Sequence, residues 1–272
     1  MAETVSKKLA DAEEEEKTTL DLSWADLDDS AMAGLVEALP ASNITQVWLN
    51  NNKLTDAGVA TLAAGLPDTK VTKLWMNGNA AVSDDGLRSI AEMLPKTEID
   101  EFWCIVGAFG DEGVRAIAKA LPQTKLETLW LWSSKTGDGG VSELADNLAS
   151  CPIREIGLGG NKVTNAGIKK VAEFLEGQSA EEQEHKLEEL YIRWNSSCDP
   201  GLEALAAALE DAKLAKLCLE NMAITDTGLH NLMDHVEKSS IGKVCVNGNW
   251  EDATEGGGGE GSSWRAGTRD YD

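Results

Sequence analysis

Histidine, phenylalanine and tyrosine are scarce in this chain of 272 residues, which has only three, three and two of them. With so few histidines, none in an HExxH pair or a Cys/His set, metal-dependent hydrolysis has little to work with. The five cysteines are odd in number and never spaced CxxC, which favours a reducing compartment over a disulfide framework. No apolar run approaches the ~20 residues that cross a bilayer. The opening segment "MAETVSKKLADAEEEEKTT" lacks the apolar stretch of a signal peptide and is too acidic for a transit peptide. These absences predict an intracellular, cytoplasmic protein with no membrane partner, in which the sequons at Asn43 and Asn195 are accidental. Basic residues are also in deficit. Lys and Arg total 24 against 47 Asp and Glu, a formal net charge of −23. A field of that sign repels phosphate backbones, so nucleic acid is a poor partner and a basic protein a better one. Acidic helix faces also serve solubility alone.

Tryptophan, by contrast, is plentiful, with nine residues in a chain that is only 5% aromatic. Cores normally prefer Phe, because a buried indole N–H needs an acceptor. Four of the tryptophans occupy one slot of a short apolar run, in "TQVWLNNN", "TKLWMNGN", "DEFWCIVG" and "ETLWLWSS". Aligning that slot exposes a period. Units start at Thr18, Thr45, Thr72, Asp100, Glu127, Arg154, Glu188, Ala215 and Gly242, spaced by 27 or 28 residues except for one of 34. Each carries an aliphatic triplet such as Val71/Leu74/Met76 or Leu126/Leu129/Leu131. Asparagine follows at Asn52, Asn79, Asn161, Asn195 and Asn249, and is replaced by Ala25, Gly107, Ser134 and Met222 in the other units. The pattern is L-x-x-L-x-L-x-x-N. The rest of each unit shifts to helical spacing, as with Val59, Leu62, Ala63 and Leu66. Pro40, Pro67, Pro95, Pro122 and Pro152 stand where the helices should end. A unit of strand, turn, helix and return cannot bury its apolar side alone, so neighbours must stack into a solenoid.

These residues resemble the ribonuclease-inhibitor-like class of leucine-rich repeats over roughly residues 18 to 249. The resemblance implies an α/β horseshoe of about nine repeats, with parallel strands on the concave face and α-helices on the convex face. It also implies protein binding through the concave face and adjoining loops. The expected division is an acidic N-terminal cap or arm at 1–17, the repeat domain at 18–249, and a Gly-rich acidic flexible tail at 250–272. The 34-residue unit holds an insertion near 177–186, "GQSAEEQEHK", expected as a rim loop.

Strand side chains alternate between faces. With Leu74 and Met76 inward, Trp75 points onto the concave sheet, and so do Trp48, Trp103 and Trp130. Tyr191 falls two rungs beyond Trp130, while Asp21, Gly157, Cys218 and Cys245 fill the remaining rungs. Trp132 shares the face, Arg193 lies on it, and Trp24 and Trp194 sit at strand exits. At ~4.8 Å per strand the four consecutive indoles span roughly 15 Å. The expectation is an exposed strip of binding anchors formed by Trp48, Trp75, Trp103, Trp130, Trp132, Tyr191, Arg193 and Trp194. Two alternatives compete: a self-stacked ladder that needs no partner, and a strip covered by the tail through Trp264.

Catalytic signals are weak. His185, His230 and His235 read as solvated surface, and "GLGGNK" at 157–162 lacks the Lys-Ser/Thr ending of a phosphate loop. Cys218 and Cys245 share the ladder slot on neighbouring strands, where parallel register disfavours a disulfide. The sequence therefore predicts a non-enzymatic interaction scaffold with no cofactor and no metal, acting alone or as a subunit of a larger assembly. Its rivals are a GTPase activator resembling the Ran GTPase-activating protein, with Arg193 as its candidate arginine, and an inhibitor of a basic enzyme such as a ribonuclease.

Overall fold

A computed structural model of the chain describes residues 2–177, 187–210, 212–246 and 249–252. Among them the strands are β1 (Thr19–Asp21), β2 (Gln46–Trp48), β3 (Lys73–Trp75), β4 (Glu101–Trp103), β5 (Thr128–Trp130), β6 (Glu155–Gly157), β7 (Glu189–Tyr191), β8 (Lys216–Cys218), β9 (Lys243–Val246) and β10 (Asn249–Asp252). The helices are α1 (Ala2–Glu14), α2 (Met32–Ala38), α3 (Asp56–Gly65), α4 (Asp84–Met93), α5 (Asp111–Ala120), α6 (Asp138–Leu148), α7 (Asn165–Gly177), α8 (Asp199–Leu209) and α9 (Asp226–Val236). Strands β1 to β9 form one open parallel sheet in sequence order, each in register with the next, so that Leu74 pairs with Phe102 and Phe102 with Leu129.

The register follows from the repeat. Every strand presents one aliphatic or aromatic residue to the helices, and Leu20, Val47, Leu74, Phe102, Leu129, Ile156, Leu190, Leu217 and Val244 are all buried there. A one-residue slip would turn that whole row to the other face. Helices close the other side with Val59, Leu62, Ile90, Ile117 and Leu144. Before the first repeat, α1 packs against α2 and β1 and buries Val5, Leu9 and Ala12, which its helical spacing puts on one side.

The prolines act where the pattern puts them. Leu-Pro pairs open short 3₁₀ turns at Leu39–Ala41, Leu66–Asp68, Leu94–Lys96 and Leu121–Gln123. Behind each turn a hydroxyl (Ser42, Thr69, Thr97 or Thr124) donates to the leucine carbonyl and accepts the N–H two residues on, steering the chain back to the sheet.

Asparagine side chains tie the opposite turns. Asn79 accepts the Leu54 N–H at 3.1 Å and donates to the carbonyls of Leu49 and Met76, both at 3.0 Å. Gly107, which stands in an asparagine position, has a physical reason. A Cβ there would meet the ring of Phe109 at 2.3 Å, so the buried Phe109 occupies the space that the amide fills elsewhere.

The last described strand departs from the repeat. β10 runs antiparallel to β9, pairing Trp250 with Cys245, and so crosses the boundary expected between 249 and 250. Backbone pairing at a sheet edge is open to any extended segment, whatever its side-chain pattern. The rim insertion at 178–186 and the tail from 253 onward, with Trp264, lie outside the described residues.

Candidate functional site: the aromatic column and the strand-exit turns

The strands deliver the aromatic residues to the concave side, and their register stacks them. Trp48 pairs with Trp75, Trp75 with Trp103, and Trp103 with Trp130 as in-register neighbours. The strand spacing of ~4.8 Å is close to the distance at which flat rings stack. Ring centroids are accordingly 4.7, 4.4 and 5.0 Å apart, with interplanar angles of 2°, 13° and 23°. Trp130 then meets Trp132 at 4.7 Å and Tyr191 at 4.9 Å. Beyond Trp132 the guanidinium of Arg193 lies 4.2 Å from that ring and 4.6 Å from the ring of Trp194. All eight residues expected to form the face are thus gathered into one column.

The contact between Trp130 and Tyr191 crosses an intervening strand, and two glycines make room for it. A Cβ on Gly157 would lie 2.2 Å from Nε1 of Trp132 and 2.9 Å from Cδ2 of Trp130, while one on Gly159 would lie 3.3 Å from Cδ2 of Trp132. The "GLGGNK" segment is therefore a saddle over which the indoles close.

This geometry corrects the expectation of an exposed strip. Trp103, Trp130, Trp132 and Tyr191 face the concave side but are buried, with Trp130 only 3% exposed, and they form an apolar cluster separate from the main core. Alternation decides which side a residue points to, whereas each ring is covered by its neighbours' faces. Trp48 and Trp75 remain half-buried.

A row of charge borders the column. Glu101 accepts the Trp75 indole N–H at 2.7 Å and pairs with Lys73 at 2.5 Å. Glu155 accepts the Trp130 N–H at 2.9 Å. Burial, reinforced by the negative charge of Glu189, pushes the Glu155 carboxyl above its usual range. Tyr191 donates to Glu189 at 2.6 Å, and Lys216 pairs with Glu189 at 3.1 Å and lies over the Tyr191 ring. The indole nitrogens of Trp48 and Trp132 are buried with no acceptor among the described residues.

At the strand exits of the first eight repeats the backbone turns left-handed, at Trp24, Asn51, Gly78, Val106, Ser133, Gly160, Trp194 and Asn221. From Trp24 to Trp194 the turn lets these N–H groups reach the next repeat, as Trp24 does to the Asn50 carbonyl at 2.9 Å and Val106 to that of Trp132 at 3.0 Å. Asn, Ser and Gly suit this backbone, but Trp and the β-branched Val are strained in it. Trp24, Val106 and Trp194 are nevertheless also the exposed large hydrophobics of the described chain, at 70%, 46% and 49%. Val106 was not legible as a surface anchor from its run, although its repeat position, shared with Trp24 and Trp194, was the available signal.

Arg193 is committed to its neighbours. It is held between two indoles and pairs with Glu220 at 2.6 Å. Two surface depressions lie away from the column, beside α1 around Glu13 and Lys17 and along α9 around Asp226 and His230. No described helix is long and apolar enough to cross a membrane.

No protein-family model and no curated protein matches the sequence. Among solved structures, an internalin from Listeria monocytogenes strain 4b F2365 is similar, with a TM-score of 0.50 at 16% identity, over 79% of this chain and 51% of that one. The chain thus spans about half the length of that protein, and at this identity the likeness is one of fold. With in-register parallel strands backed by one helix per repeat, that fold is a leucine-rich-repeat solenoid.

Proposed function

We propose that the chain is a non-enzymatic scaffold that binds another protein across the strand-exit rim and the open end of the aromatic column. The observation that carries this reading is the exposure of Trp24, Val106 and Trp194 in strained left-handed turns, where smaller residues serve the other repeats. Strain retained at an exposed position suggests a role outside the fold, and exposed tryptophan is a favoured interface anchor. The half-buried Trp48 and Trp75 extend the surface onto the concave face, while Trp103, Trp130, Trp132, Tyr191 and Arg193 support it from beneath. The net charge of −23 favours a basic partner, and association should weaken as salt screens that attraction.

Capture of a partner by the wild-type chain and by a Trp24→Ala/Val106→Asn/Trp194→Ala variant tests the proposal. A protein held by the first and released by the second, at unchanged thermal midpoint, is the expected result. Equal retention by both would place the binding surface elsewhere. An inhibitor of a basic enzyme such as a ribonuclease is a special case of the same reading. The rival GTPase activator needs an arginine that reaches toward a nucleotide, and the packing of Arg193 gives that reading no support.

A further inference from the structure

Next to the foot of the aromatic column lies a group of side chains that the binding surface does not use. Cys218 at the end of β8 and Cys245 in β9 are direct neighbours in the parallel register. Both are buried, and the partly exposed Glu220 lies two residues beyond Cys218. The two sulfurs and a carboxylate oxygen of Glu220 all lie within 4.8 Å of one another, with the Cys218 sulfur 3.7 Å from Glu220 Oε2.

We propose that Cys218, Glu220 and Cys245 form a binding site for a soft divalent cation, with zinc as the first candidate. Tetrahedral zinc with Zn–S bonds of ~2.3 Å holds two thiolates ~3.8 Å apart, which this cluster accommodates with small side-chain shifts. Two thiolates and one carboxylate select zinc, cadmium or cobalt over magnesium or calcium, which take oxygen ligands. Three protein ligands leave a fourth position for water or an incoming ligand, as in open rather than structural zinc sites. Binding follows M²⁺ + 2 RSH → M(SR)₂ + 2 H⁺, with no oxidant and no electron transfer.

The charge around the cluster suits that reaction. Two thiolates, one carboxylate and a divalent ion sum to a single negative charge, and Arg193, 2.6 Å from Glu220, neutralises it. The same arginine orients the carboxylate, as an outer-shell partner does for a ligating residue. A disulfide is the competing chemistry for two neighbouring thiols. It requires a sulfur–sulfur bond of ~2.05 Å and a torsion near ±90°, which in-register parallel strands do not readily provide. The remaining cysteines are distributed elsewhere: Cys104 and Cys151 are buried in the main core and Cys198 precedes α8.

The test uses the reduced full chain. Titration with Co²⁺ should give the visible bands of a tetrahedral ion together with thiolate charge-transfer absorption, saturating at one ion per chain. Binding of Co²⁺ or Zn²⁺ to the metal-free chain should release two protons, and Zn²⁺ should then displace the cobalt with no further release. In dilute urea, which lets the buried Cys218 react through local opening, Zn²⁺ should also slow its alkylation, as mapped by peptide mass, while the partly exposed Cys198 reacts at an unchanged rate. The Cys218→Ser/Cys245→Ser variant should lose binding, Glu220→Gln should weaken it at least tenfold, and Cys198→Ser should leave it unchanged. The wild-type spectra and the alkylation pattern stand even if the double variant folds poorly. Absence of cobalt bands in the reduced wild type would overturn the proposal, as would binding that survives the double variant. A Cys218–Cys245 disulfide formed in air by a chain with no metal affinity would overturn it in favour of a redox pair.

Discussion

The two faces of the solenoid carry one ladder each, built on opposite terms. On the helix side, Asp29, Asp56, Asp84, Asp111, Asp138 and Asp199, with Asn165 in the same position, each accept a backbone N–H from the following repeat. Asp56, for example, takes the Ser83 N–H at 2.7 Å and the Gly86 N–H at 3.0 Å. The glycine is required because a Cβ on Gly86 would sit 2.7 Å from that carboxylate oxygen. On the sheet side, the corresponding row runs through Asp21, four tryptophans, Gly157, Tyr191 and two cysteines. A ladder in which one side chain accepts the backbone N–H groups of the next repeat tolerates almost no variation, because every repeat presents the same N–H groups. The sheet-side row has no such obligation, and its changing chemistry marks where the molecule is free to specialise.

Substitutions sharpen that contrast, beginning with the column. Trp103→Ala removes a buried ring stacked on both sides and should cost about 3–5 kcal/mol in urea unfolding. The exposed-strip expectation implied a loss nearer 1 kcal/mol, from ring stacking alone. A loss that small would mean the column does not close in solution. Asp84→Ala should cost about 2 kcal/mol, since the N–H groups of Gly110 and Gly113 lose their acceptor. An unchanged midpoint would show that water replaces the helix-side ladder freely.

Two smaller effects separate the column from its borders. Burial raises the pKa of Glu155 above its unfolded value of 4.5, so its ionised form opposes folding. The wild type therefore loses stability as pH rises from 4.5 through the folded pKa, and Glu155→Gln does not. The variant keeps an oxygen to accept the Trp130 N–H, so it should melt slightly higher at pH 7 and level with the wild type below about pH 4. An equal difference at both pH values would assign the effect to packing. Smallest of all, Trp194→Ala should change stability by no more than ~0.5 kcal/mol, as for other surface sites. A larger loss would show that its stacking on Arg193 is structural.

Much of this was legible in the sequence. The period fixes register, register fixes the inward row, and Leu74, Phe102 and Leu129 follow from it directly. Membership of the column was equally legible, since alternation assigns Trp75 and Trp103 to one side. The burial of Trp103, Trp130 and Trp132 was not, because it depends on ring tilt and on the saddle at Gly157, whose role exists only against Trp130 and Trp132. Glu220 was missed because it is one more acidic residue in an acidic chain until Cys245 comes beside it from a strand 27 residues away.

The aromatic column also gives the curved sheet a mechanical element. Strands repeat every ~4.8 Å and packed helices every ~8–10 Å, so the sheet side is the short inner arc of a bent beam. Straightening such a beam puts the inner arc in tension, and between β2 and β5 that arc is spanned by rings in contact at 4.4–5.0 Å. Pulling them apart exposes both faces of every indole to water. The amino-terminal half of the arc is therefore the stiff segment, and compliance is concentrated beyond Gly157, where the row thins to a tyrosine and two thiols.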